Sequence, residues 1–150
     1  LHDRLMELGS DAVVQTLSGI ASGEITTTIQ QETRELKTAY KLNRENCKID
    51  WDKPAVEIHN LVRGLSPYPS AWCWFTDNGE EMSVKIYATK VIDEAHELPV
   101  GAIVSTKKDI MVAVTDGFIE VLSLQLPGKK KMTPRELLNG TSFSQSAKAS

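Results

Sequence analysis

Between Ser70 and Leu124 apolar and polar residues alternate with a period of two, and turn-forming residues interrupt the pattern at short intervals. Successive side chains of a strand point to opposite faces, so this pattern buries one face and leaves the other in water. It predicts five strands: Ala71–Phe75, Met82–Thr89 with an extension toward Ile92, Ala102–Thr106, Ile110–Val114 and Phe118–Leu124. Asp77-Asn78-Gly79, Lys107-Lys108-Asp109 and Asp116-Gly117 supply the turns, and Asp-Gly is among the strongest short-range hairpin signals. Five short strands are too few for an immunoglobulin-type sandwich. They suit a small closed barrel of the oligonucleotide/oligosaccharide-binding (OB) kind, which leaves no exposed sheet edge. The expected fold class is mainly β: a five-stranded antiparallel OB-like barrel with flanking short helices.

The helical segments lie outside this run. Leu1 to Glu24 reads as two helical pieces, one carrying Leu1, Leu5 and Leu8 and the other Ala12, Val13, Leu17, Ile20 and Ala21, with Gly9 between them. Ser10 and Asp11 are placed to cap the second piece and Gly23 to end it. So small a pair cannot bury its apolar faces alone and is expected to pack on a body elsewhere. From Ile25 to Asn46 the periodicity is lost and the segment reads as a linker. Pro54 to Arg63 has the stripe of a helix lying on a core (Ala55, Ile58, Leu61, Val62, Leu65), with Asp52 as its expected cap and Gly64 as its stop. A capping box, Thr133-Pro134-Arg135-Glu136, opens the last helix, and Gly140 follows its last turn. Ser144 to Ser150 is small and polar and is expected to be disordered. The division expected is 1–24, 25–46 as linker, 47–143 as barrel and 144–150 as tail.

A chain of 150 residues, 41% apolar and 25% charged, has room for one ordinary domain and a short appendage. No apolar run is long enough to span a membrane, and Leu1-His2-Asp3-Arg4 does not resemble a secretory leader, so the expected location is cytoplasmic. The net charge of −3 and pI of 5.6 speak against a free-standing nucleic-acid binder. The charge is uneven, however: residues 103–150 carry seven Lys/Arg and four Asp/Glu, a local excess of +3.

Catalytic groupings are not evident. Cys47 and Cys73 lack the spacing of a zinc or redox motif and read as reduced thiols. His2, His59 and His96 have no second histidine or nucleophile at a useful spacing, and they read as surface or packing residues. Glu80-Glu81 and Asp93-Glu94 are sequence neighbours that cannot face one substrate from a strand, and they read as solvated charges. Neither common glycine-rich phosphate cradle occurs. No catalytic or metal-binding residue is therefore expected. The binding candidates are Lys129, Lys130 and Lys131 with Arg135, and a looser set of Lys41, Lys48 and Arg63. These cations either neutralise nucleic-acid phosphates or simply solvate a loop and, for Arg63, complement the end of its own helix. Trp51, Trp72, Trp74, Tyr68 and Phe75 offer base-stacking surfaces or, as the commoner use of aromatics, core.

Several segments, taken in order, resemble the C-terminal domain of methionyl-tRNA formyltransferases. They are Ile49-Asp50-Trp51, Pro54-Ala55, Ile58-His59-Asn60, Arg63-Gly64-Leu65, Pro67, Pro69, Ala71-Trp72, Lys85-Ile86, Pro99-Val100-Gly101, Asp116-Gly117, Leu124-Gln125 and Gly128-Lys129-Lys130-Lys131-Met132. The resemblance covers about residues 36–143, and Leu1 to Gly9 is similar to the last helices of the family's Rossmann-like formyltransferase domain. It implies a transferase that moves a formyl group from 10-formyltetrahydrofolate to the methionyl amino group of initiator tRNA in translation initiation. The implied partners are that tRNA and an upstream formyltransferase domain. The family's catalytic Asn, His and Asp would precede Leu1, so the segment itself is expected to be inactive and to bind and orient tRNA. Two other readings remain: an accessory barrel of a formyltransferase acting on a small molecule, and a non-catalytic β-barrel interaction module.

Overall fold

The computed structural model describes residues 1–30 and 38–150. They fall into two compact units, Leu1–Ala39 and Tyr40–Ser150. The expected linker lies partly outside the described residues.

In the first unit, α1 (His2–Ser22) is one uninterrupted helix, which corrects the expectation of two pieces. At about 100° per residue, Leu1, Leu5 and Leu8 form one stripe and Val13, Leu17 and Ile20 another, on two sides of a single helix. Gly9 sits inside it at a cost of roughly 1 kcal/mol relative to Ala, and Ser10 and Asp11 are helical residues rather than caps. Gly23 ends the helix as expected. Its φ of 73° is left-handed, its N–H donates to the Ile20 carbonyl and the Glu24 N–H reaches back to Gly19, a Schellman closure.

The second unit is a barrel. Its elements are α2 (Ala55–Leu65), β1 (Ala71–Asp77), β2 (Glu80–Ile92), β3 (Ile103–Ser105), β4 (Ile110–Val114), β5 (Gly117–Gln125), α3 (Pro134–Leu138) and β6 (Lys148–Ala149). The strands run in the order β3-β4-β5-β2-β1-β6, antiparallel throughout. The two ends of this order meet, because Ile103 N–H donates to the Ala147 carbonyl (3.0 Å) and Ala149 N–H to that of Gly101 (2.7 Å). The thirteen-residue β2 serves both halves of the wall, pairing with β1 along its first part and with β5 along its second. The change of partner coincides with register shifts around Ala88, an irregularity that bends a strand. Inward residues from all around the wall (Phe75, Val84, Ile86, Ile110, Val112, Ile119, Val121, Leu124) form one core.

The five predicted strands are present, and Ile110–Val114 has the predicted bounds. The count is six. The tail 144–150, expected to be disordered, contributes β6 and buries Ala147 and Ala149. Such a strand carries no β-branched or aromatic signal; it exists because its backbone groups complete ladders on both sides. Asp77 anchors its start, accepting the Ser144 backbone N–H at 3.1 Å and the Ser144 hydroxyl.

The helices obey capping rules with one substitution of partner. Thr133 and Glu136 form the expected reciprocal box on α3. Asp52 does not cap α2. The Ala55 N–H donates instead to Asp116 Oδ1 at 2.8 Å, from the β4–β5 turn sixty-one residues away. Gly64 lies within α2, which ends at Leu65, and the buried stripe is Ala55, Ile58, Val62 and Leu65 with Leu61 at its edge.

Two stability predictions follow from these contacts. Gly101 has φ 84°, and a Cβ there would collide with the Ala149 carbonyl oxygen. Gly101→Ala is expected to lower unfolding stability by about 2 kcal/mol or more, combining left-handed strain with loss of the closing contact, read from urea denaturation midpoints. Asp116→Ala is expected to cost about 1 kcal/mol, the usual worth of a helix cap, whereas Asp52→Ala leaves the midpoint nearly unchanged.

Candidate nucleic-acid interface

Period-two alternation on β1 sends Ala71, Cys73 and Phe75 inward and leaves Trp72 and Trp74 half-buried on the outer wall. The two indoles meet edge to face, with centroids 5.7 Å apart, a favoured aromatic geometry. The segment before α2 lies against the same strand, since Ile49 N–H donates to the Trp72 carbonyl and Trp72 N–H to that of Cys47. Within that segment Asn43 and Asn46 accept each other's backbone N–H through their side chains, at 2.8 and 2.9 Å. The turn so fixed presents Arg44. Its carbonyl accepts the Trp72 indole N–H at 2.7 Å, and its guanidinium carbon stands 4.1 Å from the indole centroid. Lys48 Nζ is 5.9 Å from the same ring.

The register of the barrel carries this grouping across the wall. Trp72 lies opposite Lys85 on β2, and Lys85 opposite Gln125 on β5, a span of roughly 10 Å at ordinary strand spacing. Tyr87, on the same side of β2, donates its hydroxyl to Gln125 Oε1 (2.7 Å), and Lys131 Nζ stands 4.8 Å above the Tyr87 ring. Gln125 also donates from Nε2 to the Lys129 carbonyl at 2.7 Å, fixing the start of the basic loop. The result is a row of rings and cations: Arg44 and Lys48 on Trp72, then Lys85, then Tyr87 beneath Lys131. Among the described residues the ion pairs are His2–Asp3 and Lys90–Glu120, so none of these cations is neutralised by a carboxylate. Unpaired cations held over aromatic faces present positive charge and stacking surface together, the combination that suits a polyanion bearing bases.

Of the predicted binding residues, the structure brings Lys48 and Lys131 to this row, and Lys129 lies beside it with its backbone carbonyl on Gln125. Lys130 is exposed in the same loop and Arg135 is exposed on α3. Lys41 and Arg63 stand apart: the Lys41 carbonyl accepts from Asn46 Nδ2, and Arg63 Nε donates to Asn60 Oδ1 in the last turn of α2. Arg44 and Lys85 were not among the sequence candidates. Lys85 was accessible by counting, because a two-residue turn at Asn78-Gly79 pairs Asp77 with Glu80 and hence Trp72 with Lys85. Arg44 carries no such signal, since its contact with Trp72 spans twenty-eight residues. Among the aromatics, Trp51 and Phe75 are core, and Tyr68 is 89% exposed.

The remaining candidates do structural work. His96 has a defined neutral tautomer: Nε2–H faces the Val114 and Gly117 carbonyls at 2.9 and 2.8 Å, and Nδ1 accepts the Leu98 N–H. His59 Nδ1 lies 3.0 Å from the Thr89 hydroxyl. Both cysteines are buried and unpaired, and burial pushes the Cys73 thiol far up, so it is no nucleophile at neutral pH. Thr133, through its backbone N–H first and its hydroxyl second, holds the Glu136 carboxyl below its ordinary range. Among the described residues no group of three or more His, Cys, Asp or Glu could hold a metal ion, and no helix is long and apolar enough to cross a membrane.

A six-stranded barrel with a cation-and-ring face and with α2 packed against β2 and β5 defines a class that comparison with known proteins identifies. Residues 41–142 match the family described as formyl transferase, C-terminal domain, and the chain belongs to it. Among its relatives, the methionyl-tRNA formyltransferases of Flavobacterium johnsoniae and Flavobacterium psychrophilum are each 58% identical, over 99% and 98% of this chain and 47% and 46% of their own length. That of Bacteroides thetaiotaomicron is 44% identical over 99% of this chain and 48% of its own. The chain thus spans about half the length of the curated relatives it matches. A crystal structure of a HypX variant from Aquifex aeolicus superposes with a TM-score of 0.56 at 17% identity, over 89% of this chain and 24% of that one; it supports the fold alone.

The stacked pair at the head of the row is measurable. A double-mutant cycle with Arg44→Ala and Trp72→Leu, read by urea denaturation, is expected to give a coupling of about 0.5–1 kcal/mol, the range of cation–π contacts at exposed sites. A coupling of zero would mean that the guanidinium is not held on the ring.

Proposed function

We propose that residues 40–150 are the tRNA-binding and orienting portion of a methionyl-tRNA formyltransferase, which moves a formyl group from 10-formyltetrahydrofolate to the methionyl amino group of initiator tRNA in the cytoplasm. The observation that carries the reading is the row Arg44–Lys48–Lys85–Lys131, without an ion pair among the described residues and with all but Lys85 over an aromatic ring, in a chain 58% identical to enzymes of that name. Residues 1–24 then close a formyltransferase domain that supplies the catalytic groups, and the linker from residue 25 runs to about residue 39, short of its expected end at 46, because Asn43 to Asn46 pack on the barrel. Lys129, Lys130 and Arg135 extend the phosphate-binding face beside the row, while Lys41 and Arg63, which stand apart from it, make any phosphate contacts separately.

The division of labour has a physical rationale. Formyl transfer forms a carbon–nitrogen bond to methionine while the bond to the folate nitrogen breaks and the amine proton passes to that nitrogen. Alignment of the two reactants makes the step effectively unimolecular, worth up to roughly 7–11 kcal/mol in well-oriented systems. Phosphate contacts on a rigid wall hold the tRNA in register without reading its sequence.

The reading is tested by titrating the chain with initiator tRNA at several salt concentrations. If each of Arg44, Lys48, Lys85 and Lys131 neutralises one phosphate, log Kobs falls against log salt with a slope of about −3 to −4. Lys131→Ala reduces that slope by about 1. A flat response would refute tRNA binding by this face and favour a small-molecule substrate.

A further inference from the structure

Next to the cation row the outer wall is not flat. A groove of about 560 Å³ opens between the 42–47 segment, the turn before β1 and the first residues of β1 and β2; Arg44, Tyr68, Trp72, Ser83 and Lys85 line it. Its size lies within the range of sites that accept one small organic group. Its lining contains two cations and no carboxylate, so its charge complements an anion. Tyr68 is the unusual member, for its side chain is 89% exposed in a protein whose other groove aromatic, Trp72, is half-buried under Arg44. It stands between Pro67 and Pro69, whose rings restrict the backbone, so stacking a ligand on the phenol orders little that is not ordered already.

These observations point to one kind of occupant. We infer that the groove is a subsite for a single unstacked nucleotide of the bound RNA, with its base on the Tyr68 ring and its phosphate between Arg44 and Lys85. The inference rests on the RNA-binding reading above and adds to it a preference for an unpaired position. In duplex RNA the bases are stacked on one another and cannot reach a side-chain ring, whereas loops, bulges and ends can splay a base onto an aromatic platform. The row of exposed cations alone would grip duplex and single strand alike through phosphates. The groove distinguishes them. Arg44 takes part in both because its guanidinium, fixed on Trp72 by the turn at Asn43 and Asn46, stands at the boundary of row and groove.

The test compares three probes on the whole chain over one common series of salt concentrations: a mixed-sequence single-stranded RNA decamer, the blunt duplex of the same sequence, and initiator tRNA. Tyr68→Ala removes the platform at an exposed position without touching the core, and Tyr68→Phe retains the ring. Tyr68→Ala is expected to weaken decamer binding roughly 5- to 150-fold, the usual cost of removing a base-stacking ring, and to leave duplex binding unchanged; Tyr68→Phe restores the wild-type value. If Tyr68→Ala has no effect on the decamer, or weakens decamer and duplex equally, the nucleotide subsite is wrong while salt-dependent tRNA binding still upholds the RNA-binding reading. If none of the three probes binds with salt-dependent affinity, both fall together.

Discussion

The barrel depends on a few backbone hydrogen bonds between residues 101–103 and 147–149. Without them β3 and β6 would each present an open edge of unpaired amides and carbonyls, a template for pairing with other chains. Closure requires close approach of two backbones, and the side chains there are correspondingly small: Gly101 on one side, Ala147 and Ala149 on the other. The same strand reaches the binding face. Trp74 and Ser150 exchange backbone hydrogen bonds at 2.8 and 2.9 Å, so the end of the chain holds β1 two residues beyond the Trp72–Lys85 pair. Rigidity at the seam is therefore transmitted to the position of the ring that carries Arg44.

The sequence was most legible where local pattern and final structure answer to the same cause. β4 and the turn at Asn78-Gly79 follow from alternation and from φ preferences, which act within a few residues, whereas the hairpin expected at Asp116-Gly117 turns one residue earlier, at Thr115-Asp116, with Gly117 opening β5. The capping box of α3 is equally local. Errors arose wherever a distant partner decides. Asp52 is the obvious cap by position, but Asp116 takes the role from the other side of the barrel. The tail looked disordered because Ser, Ala and Lys have little intrinsic strand preference, and nothing in residues 144–150 reveals that two unpaired strands await them. Gly9 suggested a break because a glycine and two hydrophobic spacings coincide there, yet two stripes on one helix explain the same letters.

The binding face shows the same division. Trp72 and Trp74 on one side of their strand, and Lys85 across from Trp72, are consequences of period and register. The clamp of Asn43 on Asn46 that aims Arg44 is a product of folding. Charge runs drew attention to Lys129–Lys131, although within that run it is Lys131 that lies over an aromatic ring and Lys129 whose carbonyl is fixed by Gln125. Run length is a poor guide to placement because a loop solvates most of its charges in any direction that water allows.

Net charge also misleads in this case. A chain of −3 is acidic overall, but a bound polyanion senses potential within about a Debye length, roughly 8–10 Å at moderate salt. The row spans about that distance, and three of its cations, Arg44, Lys48 and Lys131, stand over neutral rings, an indole and a phenol. Carboxylates would have positioned the same side chains, and each would have cancelled the charge it positioned. Orienting a cation by a ring leaves the whole charge available to a phosphate and avoids breaking an ion pair when the ligand arrives. A face assembled in this way can be rigid and locally positive inside an acidic protein, because what positions each cation does not cancel its charge.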